Sequence, residues 1–101
     1  MPTELTTTQR KYLRSLANPI QATVMVGKQG VSEALLAKLG QELDAHELVK
    51  VRFLEFKDER VALTDTLIAA TGAALVGMIG HVATLYRPHD DPARRTIRLP
   101  A

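Results

Sequence analysis

Apolar and polar positions along this chain change period several times, and each change marks a candidate element. Thr6-Thr7-Thr8-Gln9 has the form of a capping box, with Thr6 as N-cap and Gln9 reaching back. The helix it opens is predicted to reach about Ala17 and stop before Asn18-Pro19, because a residue preceding proline avoids helical geometry. Tyr12, Leu13, Leu16 and Ala17 share one side of a helical wheel, and Arg10, Lys11 and Arg14 share the other. A short β-branched run at about Ala22 to Val26 reads as a first strand. A second helix is predicted at about Val31 to His46, with Leu35, Leu36, Leu39 and Leu43 as its buried stripe. Gly40 within it costs about 1 kcal/mol against alanine, which suggests close packing against a neighbour. From about Leu48 to Phe56 the pattern alternates: Val49, Val51 and Phe53 point one way, Lys50 and Arg52 the other. Asp58 is expected to cap a third helix ending near Thr71, with Leu63, Leu67 and Ala70 inward and Gly72 as its stop. Ala73 to Ile79 and Val82 to Tyr86 read as two strands joined by Gly80-His81, a pair suited to a type II′ turn.

The order is therefore α-β-α-β-α-β-β. Strands linked through helices favour parallel neighbours, and the final hairpin adds an antiparallel pair. The fold class expected is α/β, a compact domain with a four-stranded mixed sheet, helices over one face and the other partly open. An ordered core is expected over about residues 5–87. From Pro88 the chain is proline-containing and charged, which predicts an extended tail over 88–101.

At 101 residues the chain has room for one domain with one modest core. It contains no cysteine, so disulfides and thiolate metal sites are excluded. No run approaches the roughly 20 apolar residues of a membrane span. Met1-Pro2-Thr3-Glu4 is not a basic segment leading into an apolar one, so no secretory signal is predicted and a cytoplasmic location is expected. The net charge of +2 is too small to identify a partner, but its distribution is uneven. Residues 1–30 carry Arg10, Lys11, Arg14 and Lys28 against Glu4 alone, and residues 31–65 hold eight carboxylates against five cations. From residue 66 onward Arg87, Arg94, Arg95 and Arg98 oppose only Asp90 and Asp91. Positive charge at both ends of a chain can meet on one face of its fold.

The stretch Gly27-Lys28-Gln29-Gly30 lies between the first strand and the second helix. Two glycines let the backbone turn tightly and approach a ligand, and a helix start offers unpaired N–H groups and a positive dipole end to an anion. Lys28 adds a mobile charge. The loop is not a Walker A motif, since Gly-Lys is followed by Gln29, and it is not a dinucleotide-binding G-x-G-x-x-G. His46, His81 and His89 lack metal-ligand spacing, no acids pair around a nucleophile, and no cofactor is expected. With two Tyr, two Phe and no Trp, base stacking across a sheet is a poor fit. Phosphate contacts suit the chain better.

At these residues the chain resembles the CRM-domain family, the RNA-binding module named for chloroplast RNA splicing and ribosome maturation, and in particular its small YhbY-like bacterial members. The resemblance is carried by Leu13-Arg14-Ser15-Leu16-Ala17, Val26-Gly27-Lys28-Gln29-Gly30-Val31 and His46-Glu47-Leu48-Val49-Lys50-Val51, followed by Gly72-Ala73, Ile79-Gly80 and Leu85-Tyr86-Arg87-Pro88. It implies a fold akin to the C-terminal domain of translation initiation factor three. It also implies non-catalytic RNA binding by a single domain, with ribosomal RNA in precursors of the large subunit as the partner. The family's G-x-x-G loop falls on Gly27 to Gly30, and its lysine after Glu-Leu-(Ile/Val) falls on Lys50. The expected RNA face comprises Gly27, Lys28, Gln29 and Gly30, with Arg10, Lys11, Arg14, Lys50, Arg52 and Arg87 around them, on a chain acting as a monomer. The rival expectation is a protein-interaction module serving as a small assembly or translation factor. Leu54-Glu55-Phe56-Lys57-Asp58 departs from the family pattern by being apolar and acidic.

Overall fold

The computed structural model describes residues 4–101, so the reading of Met1-Pro2-Thr3 lies outside the described residues. Helix α1 spans Thr7–Ala17, strand β1 Val24–Val26, helix α2 Glu33–His46, strand β2 Leu48–Phe53, helix α3 Arg60–Thr71, strand β3 Ala74–Ile79 and strand β4 Val82–Tyr86. Single 3-10 turns at Lys57–Glu59 and Pro92–Arg94 complete the list of regular elements. The sheet order is β1-β2-β4-β3, with β1 and β2 parallel and the other pairs antiparallel. The four-stranded mixed sheet and three helices are those the sequence pattern predicts.

The capping box forms as expected: the Gln9 amide donates to Thr6 Oγ1 at 3.1 Å and the Thr6 amide to Gln9 Oε1 at 3.0 Å. Three boundaries differ. Helix α2 begins at Glu33 rather than Val31, because Ser32 is its N-cap and its hydroxyl accepts from the Leu35 amide at 3.1 Å. Strand β2 ends at Phe53 because the Leu54 and Glu55 amides both turn to the Val26 carbonyl, and Phe56 follows with φ +55. Asp58 caps nothing; it sits inside the 3-10 turn that leads into α3. Gly72 ends α3 at φ +74, and the β3–β4 turn has positive φ at Gly80 but not at His81, as a type II′ turn requires.

Alternation along β2 divides its side chains between the sheet's two faces. Val49, Val51 and Phe53 join Val24, Val26, Ala83 and Leu85 under Leu39 and Leu43 of α2 and Leu67 of α3. Leu48 points the other way, into a second cluster with Leu13 and Ala17 of α1, Val76 and Tyr86. Val76 faces α1 by ordinary alternation, and an irregularity in β3 between Leu75 and Gly77 then places Gly77, opposite Thr84, on that same face. Tyr12, expected on the inner side of α1, is 39% exposed at its margin. One face thus carries two helices along its length. The other carries α1 at one end only.

The last residues are not a free extension. Ile97 and Leu99 pack on the α1 cluster, and Gln9 Nε2 donates to the Pro100 carbonyl at 3.0 Å. Their anchor is Glu47, the residue between α2 and β2, buried and held at φ +65. Its Oε1 accepts from the Thr96 amide at 2.7 Å, the Ile97 amide at 3.0 Å and Thr96 Oγ1 at 3.0 Å. Its Oε2 accepts from the His89 amide at 2.8 Å. Burial pushes this carboxyl upward, but the four donated hydrogen bonds outweigh it and hold the pKa below the usual carboxylate value.

Candidate nucleic-acid interface

The loop after β1 is a tight turn in which the two glycines have different jobs. The Gly30 amide donates to the Gly27 carbonyl at 3.0 Å, closing the turn with Lys28 and Gln29 exposed at its tip. Gly30 has φ +66, and a Cβ there would stand 3.4 Å from the Phe56 ring. The positive φ is what favours glycine here, since the Phe56 ring stands at ordinary contact distance. Gly27 has no positive φ, and a Cβ there would meet nothing within 4 Å. Nothing in the chain itself demands glycine at that position.

The anion trap expected from the sequence is weaker in its helix component. The Gly30 amide is spent on the turn and the Leu35 amide on Ser32, while Glu33 places a negative charge in the first turn of α2. Positive charge here therefore comes from the Lys28 side chain more than from the helix dipole.

The uncovered part of the sheet brings together cations distant in sequence. Lys50 lies opposite Thr84, and Arg52 lies between Val82 on β4 and Met25 on β1. Arg14 reaches over from α1, its Nε 3.2 Å from where a Cβ on Gly77 would stand, so glycine leaves β3 open to the guanidinium. Arg14 and Lys50 share the wall of one groove, Lys50 and Arg52 that of the next, and Met25 and Lys28 that of a third beside the loop. A path of positive charge thus runs Arg14, Lys50, Arg52, Lys28 across the open face and off its edge. Among the described residues none of these four, nor Lys11, is within ion-pair distance of a carboxylate. The run of unopposed cations ends at Lys28: the hollow beyond it has Glu55, Asp58 and Glu59 in its walls with Lys28, Lys57, Leu54 and Phe56, so carboxylates outnumber lysines there.

Two expected members do not join this surface. Arg87 points to the helix-covered face, where Nη1 donates to the Thr71 carbonyl at 2.7 Å and Nη2 to the Gly40 carbonyl at 3.3 Å and Asp44 Oδ1 at 2.8 Å. Alternation along β4 decides this, since Thr84 faces the open side and Arg87 is three residues on. Arg10 has its Nε committed to the Leu75 carbonyl at 3.2 Å, where the β3 irregularity frees it. Lys11 is exposed on α1. In the tail, Arg95 donates to the His89 carbonyl at 2.8 Å and Arg94 faces Asp91 at 3.8 Å, leaving Arg98 exposed.

Sequence reasoning missed Glu47 as an organiser, although a carboxylate directly before an apolar strand was a visible signal. Its partners lie more than forty residues away, so only folding reveals them. It also missed Ile79, 82% exposed at the end of β3 beside the cation path. Tyr86 lies under α1 near the Glu47 clamp; burial raises its pKa, the Glu47 charge adds to the rise, and Arg95 partly offsets it. No group of three His, Asp or Glu able to hold a metal occurs among the described residues, and no helix there is long and apolar enough to cross a membrane.

Comparison with known proteins agrees with this architecture. A protein of Haemophilus influenzae named as an RNA-binding protein is 34% identical over 90 residues, covering 88% of this chain and 91% of that one. One of Pseudomonas aeruginosa named as a probable RNA-binding protein is 37% identical over 89 residues, covering 87% and 86%. The Bacillus subtilis protein YqeI, also named as a probable RNA-binding protein, is 30% identical over 97 residues, covering 95% and 99%. The relatives are named for RNA binding and not as enzymes. The solution structure of a hypothetical protein of Staphylococcus aureus superimposes with a TM-score of 0.80 at 36% identity, covering 96% of this chain and all of that one. The sequence profile of the CRS1 / YhbY (CRM) domain matches residues 5–87, and the chain belongs to that family.

Proposed function

We propose that this protein binds RNA without catalysis, gripping the phosphate backbone along the path Arg14, Lys50, Arg52 and Lys28. The observation that carries the proposal is that Arg14, Lys50 and Arg52 line one uncovered sheet face, with Lys28 in the loop at its edge, and that none of the four has a carboxylate partner among the described residues. A cation that stabilised the fold would be committed, as Arg87 is. Gly27 supports the same reading, because a glycine unnecessary to the chain keeps the loop backbone bare for a ligand. The relatives' names point to the same class of partner. The family resemblance extends it to ribosomal RNA in precursors of the large subunit, engaged by a monomer in the cytoplasm during assembly.

Fluorescence anisotropy with a labelled large-subunit ribosomal RNA transcript, run across a salt series, tests this. Four neutralised phosphates give a log–log salt slope of about −3 to −4, and Lys28→Glu weakens binding without changing the fold. A flat salt dependence, or a Lys28→Glu variant that binds as wild type does, defeats the proposal. The protein-interaction reading is favoured only by the hollow at Leu54 and Phe56, both exposed beside acids. Association with ribosomal particles that survives complete digestion of the RNA would support that reading instead.

A further inference from the structure

The face that carries the cations is grooved as well as charged. Between α1 and the β3–β4 hairpin lies a hollow of about 530 Å³ with Arg14, Asn18, Lys50, Ile79 and Thr84 in its walls. A second hollow of about 280 Å³ continues it toward the segment entering β1, sharing Lys50, Ile79 and Thr84 and adding Gln21, Arg52 and Val82. Each combines apolar flanks with polar groups that have no other task. The Asn18 and Gln21 amides and the Thr84 hydroxyl make no side-chain hydrogen bond among the described residues. Ile79, standing between the two hollows, is 82% exposed, more than any other large apolar side chain described. Amides and hydroxyls that both donate and accept suit the edge of a nucleobase, and an isoleucine flank suits its face. A run of phosphate alone needs neither.

We propose that these two hollows receive two consecutive unpaired nucleotides, with the bases in the hollows and their phosphates on Arg14, Lys50 and Arg52. The inference rests on the reading of this face as RNA-binding and narrows its ligand. Lys50 and Arg52 are two strand residues apart, roughly 6.6 Å along β2, so cation and hollow alternate as phosphate and base do along an extended strand. A base inside a duplex has its pairing edge and both faces occupied, and the A-form major groove is too deep and narrow for side chains to read. The ligand is therefore a bulge, loop or single-stranded segment. Neither hollow is lined by Phe, Tyr or Trp, so the bases are held by edge contacts and the aliphatic wall, not by ring stacking.

Two RNA hairpins, identical except for a two-nucleotide bulge carrying 2-aminopurine, separate the possibilities. The wild-type protein is expected to bind the bulged hairpin tighter by about tenfold, the order of one or two hydrogen bonds to base edges, and to change the 2-aminopurine fluorescence. Ile79→Asp alters an exposed side chain and is expected to erase that preference with the melting temperature unchanged. A double variant, Asn18→Ala with Thr84→Val, reduces it with no change of charge. Equal affinity for the two hairpins with unaltered fluorescence overturns the hollows while leaving the phosphate reading intact, since both RNAs still bind. Preference retained in both variants overturns the hollows too. Failure of both hairpins to bind at low salt overturns the phosphate reading along with them.

Discussion

The two faces of the sheet use positive charge in opposite ways. On the helix-covered face Arg87 has three acceptors, two of them helix carbonyls, and its charge is answered by Asp44. On the open face Lys50, on the strand paired with β4, has no carboxylate of the described residues within ion-pair distance and borders two grooves. Lys50 is on β2 and Arg87 directly follows the neighbouring β4, yet one serves as a fastener and the other is left available. Composition cannot distinguish them. Parity along the strand does, because a shift of one residue moves a side chain to the other face.

Exchanging the roles gives the largest expected effects. Arg87→Ala removes the donor to the Thr71 carbonyl and the tie to α2 at the Gly40 carbonyl and the solvent-exposed Asp44, and is expected to cost about 1–2 kcal/mol in denaturant unfolding. RNA affinity of the folded protein should stay near wild type. Lys50→Glu should show the converse, with stability changed by no more than about 0.5 kcal/mol and affinity reduced at least about tenfold, or 1.4 kcal/mol. If Arg87→Ala weakened RNA binding of the folded protein as much as Lys50→Glu, the division between the faces would be lost.

The loop glycines sharpen the comparison at a single turn. Gly30→Ala forces a side chain into the left-handed region, at an expected cost of about 1–2 kcal/mol in thermal unfolding. Gly27→Ala should leave stability within about 0.5 kcal/mol and lower RNA affinity, by crowding a backbone that nothing in the chain crowds.

The Glu47 clamp makes a smaller, pH-gated contribution. Its folded pKa is depressed below the unfolded one, near 4.3 for a glutamate, so the clamp's stabilisation is fully present above that value. It is lost as pH falls through the folded pKa. Amide exchange at Thr96 and Ile97, corrected for its intrinsic pH dependence, should accelerate over that window, while the amides of β2 stay protected. In Glu47→Gln the acceleration should already be present at neutral pH.

The smallest effects are on the covered face and should be favourable. A Cβ at Gly40 meets nothing within 4 Å, so Gly40→Ala is expected to raise stability by about 0.5–1 kcal/mol. The close packing expected at that glycine is absent; its carbonyl serves Arg87 instead. The buried Thr64 hydroxyl has no hydrogen-bond partner among the described residues, and Thr64→Val should leave stability unchanged or raise it by about 1 kcal/mol.

Much of the fold was legible because it depends on local rules. The capping box at Thr6, the breaks at Pro19 and Gly72, the alternation along β2 and the Gly80-His81 turn each rest on a few adjacent residues. Local rules also explain the errors. Asp58 resembled a cap but lost that role once two amides from Leu54 and Glu55 closed on Val26 and redirected the chain. The α2 start shifted to Ser32 because a hydroxyl competed successfully for the first turn. For the candidate site, the Gly27–Gly30 turn and the facing of Lys50 and Arg52 were readable, whereas the fate of Arg10 and Arg87 was not.

By itself the sequence determined the order of elements, the side of β2 that carries charge and the presence of a glycine turn before α2, since helical and strand periodicity and backbone sterics act over a few residues. Only the tertiary structure decided which cations remain free, that Glu47 binds the tail to the core, and that one glycine serves the fold while the other leaves space. Those outcomes depend on atoms far apart in the chain reaching hydrogen-bond distance, as Ile97 does at Glu47 fifty residues away, and no pattern along the chain encodes a distance of that kind.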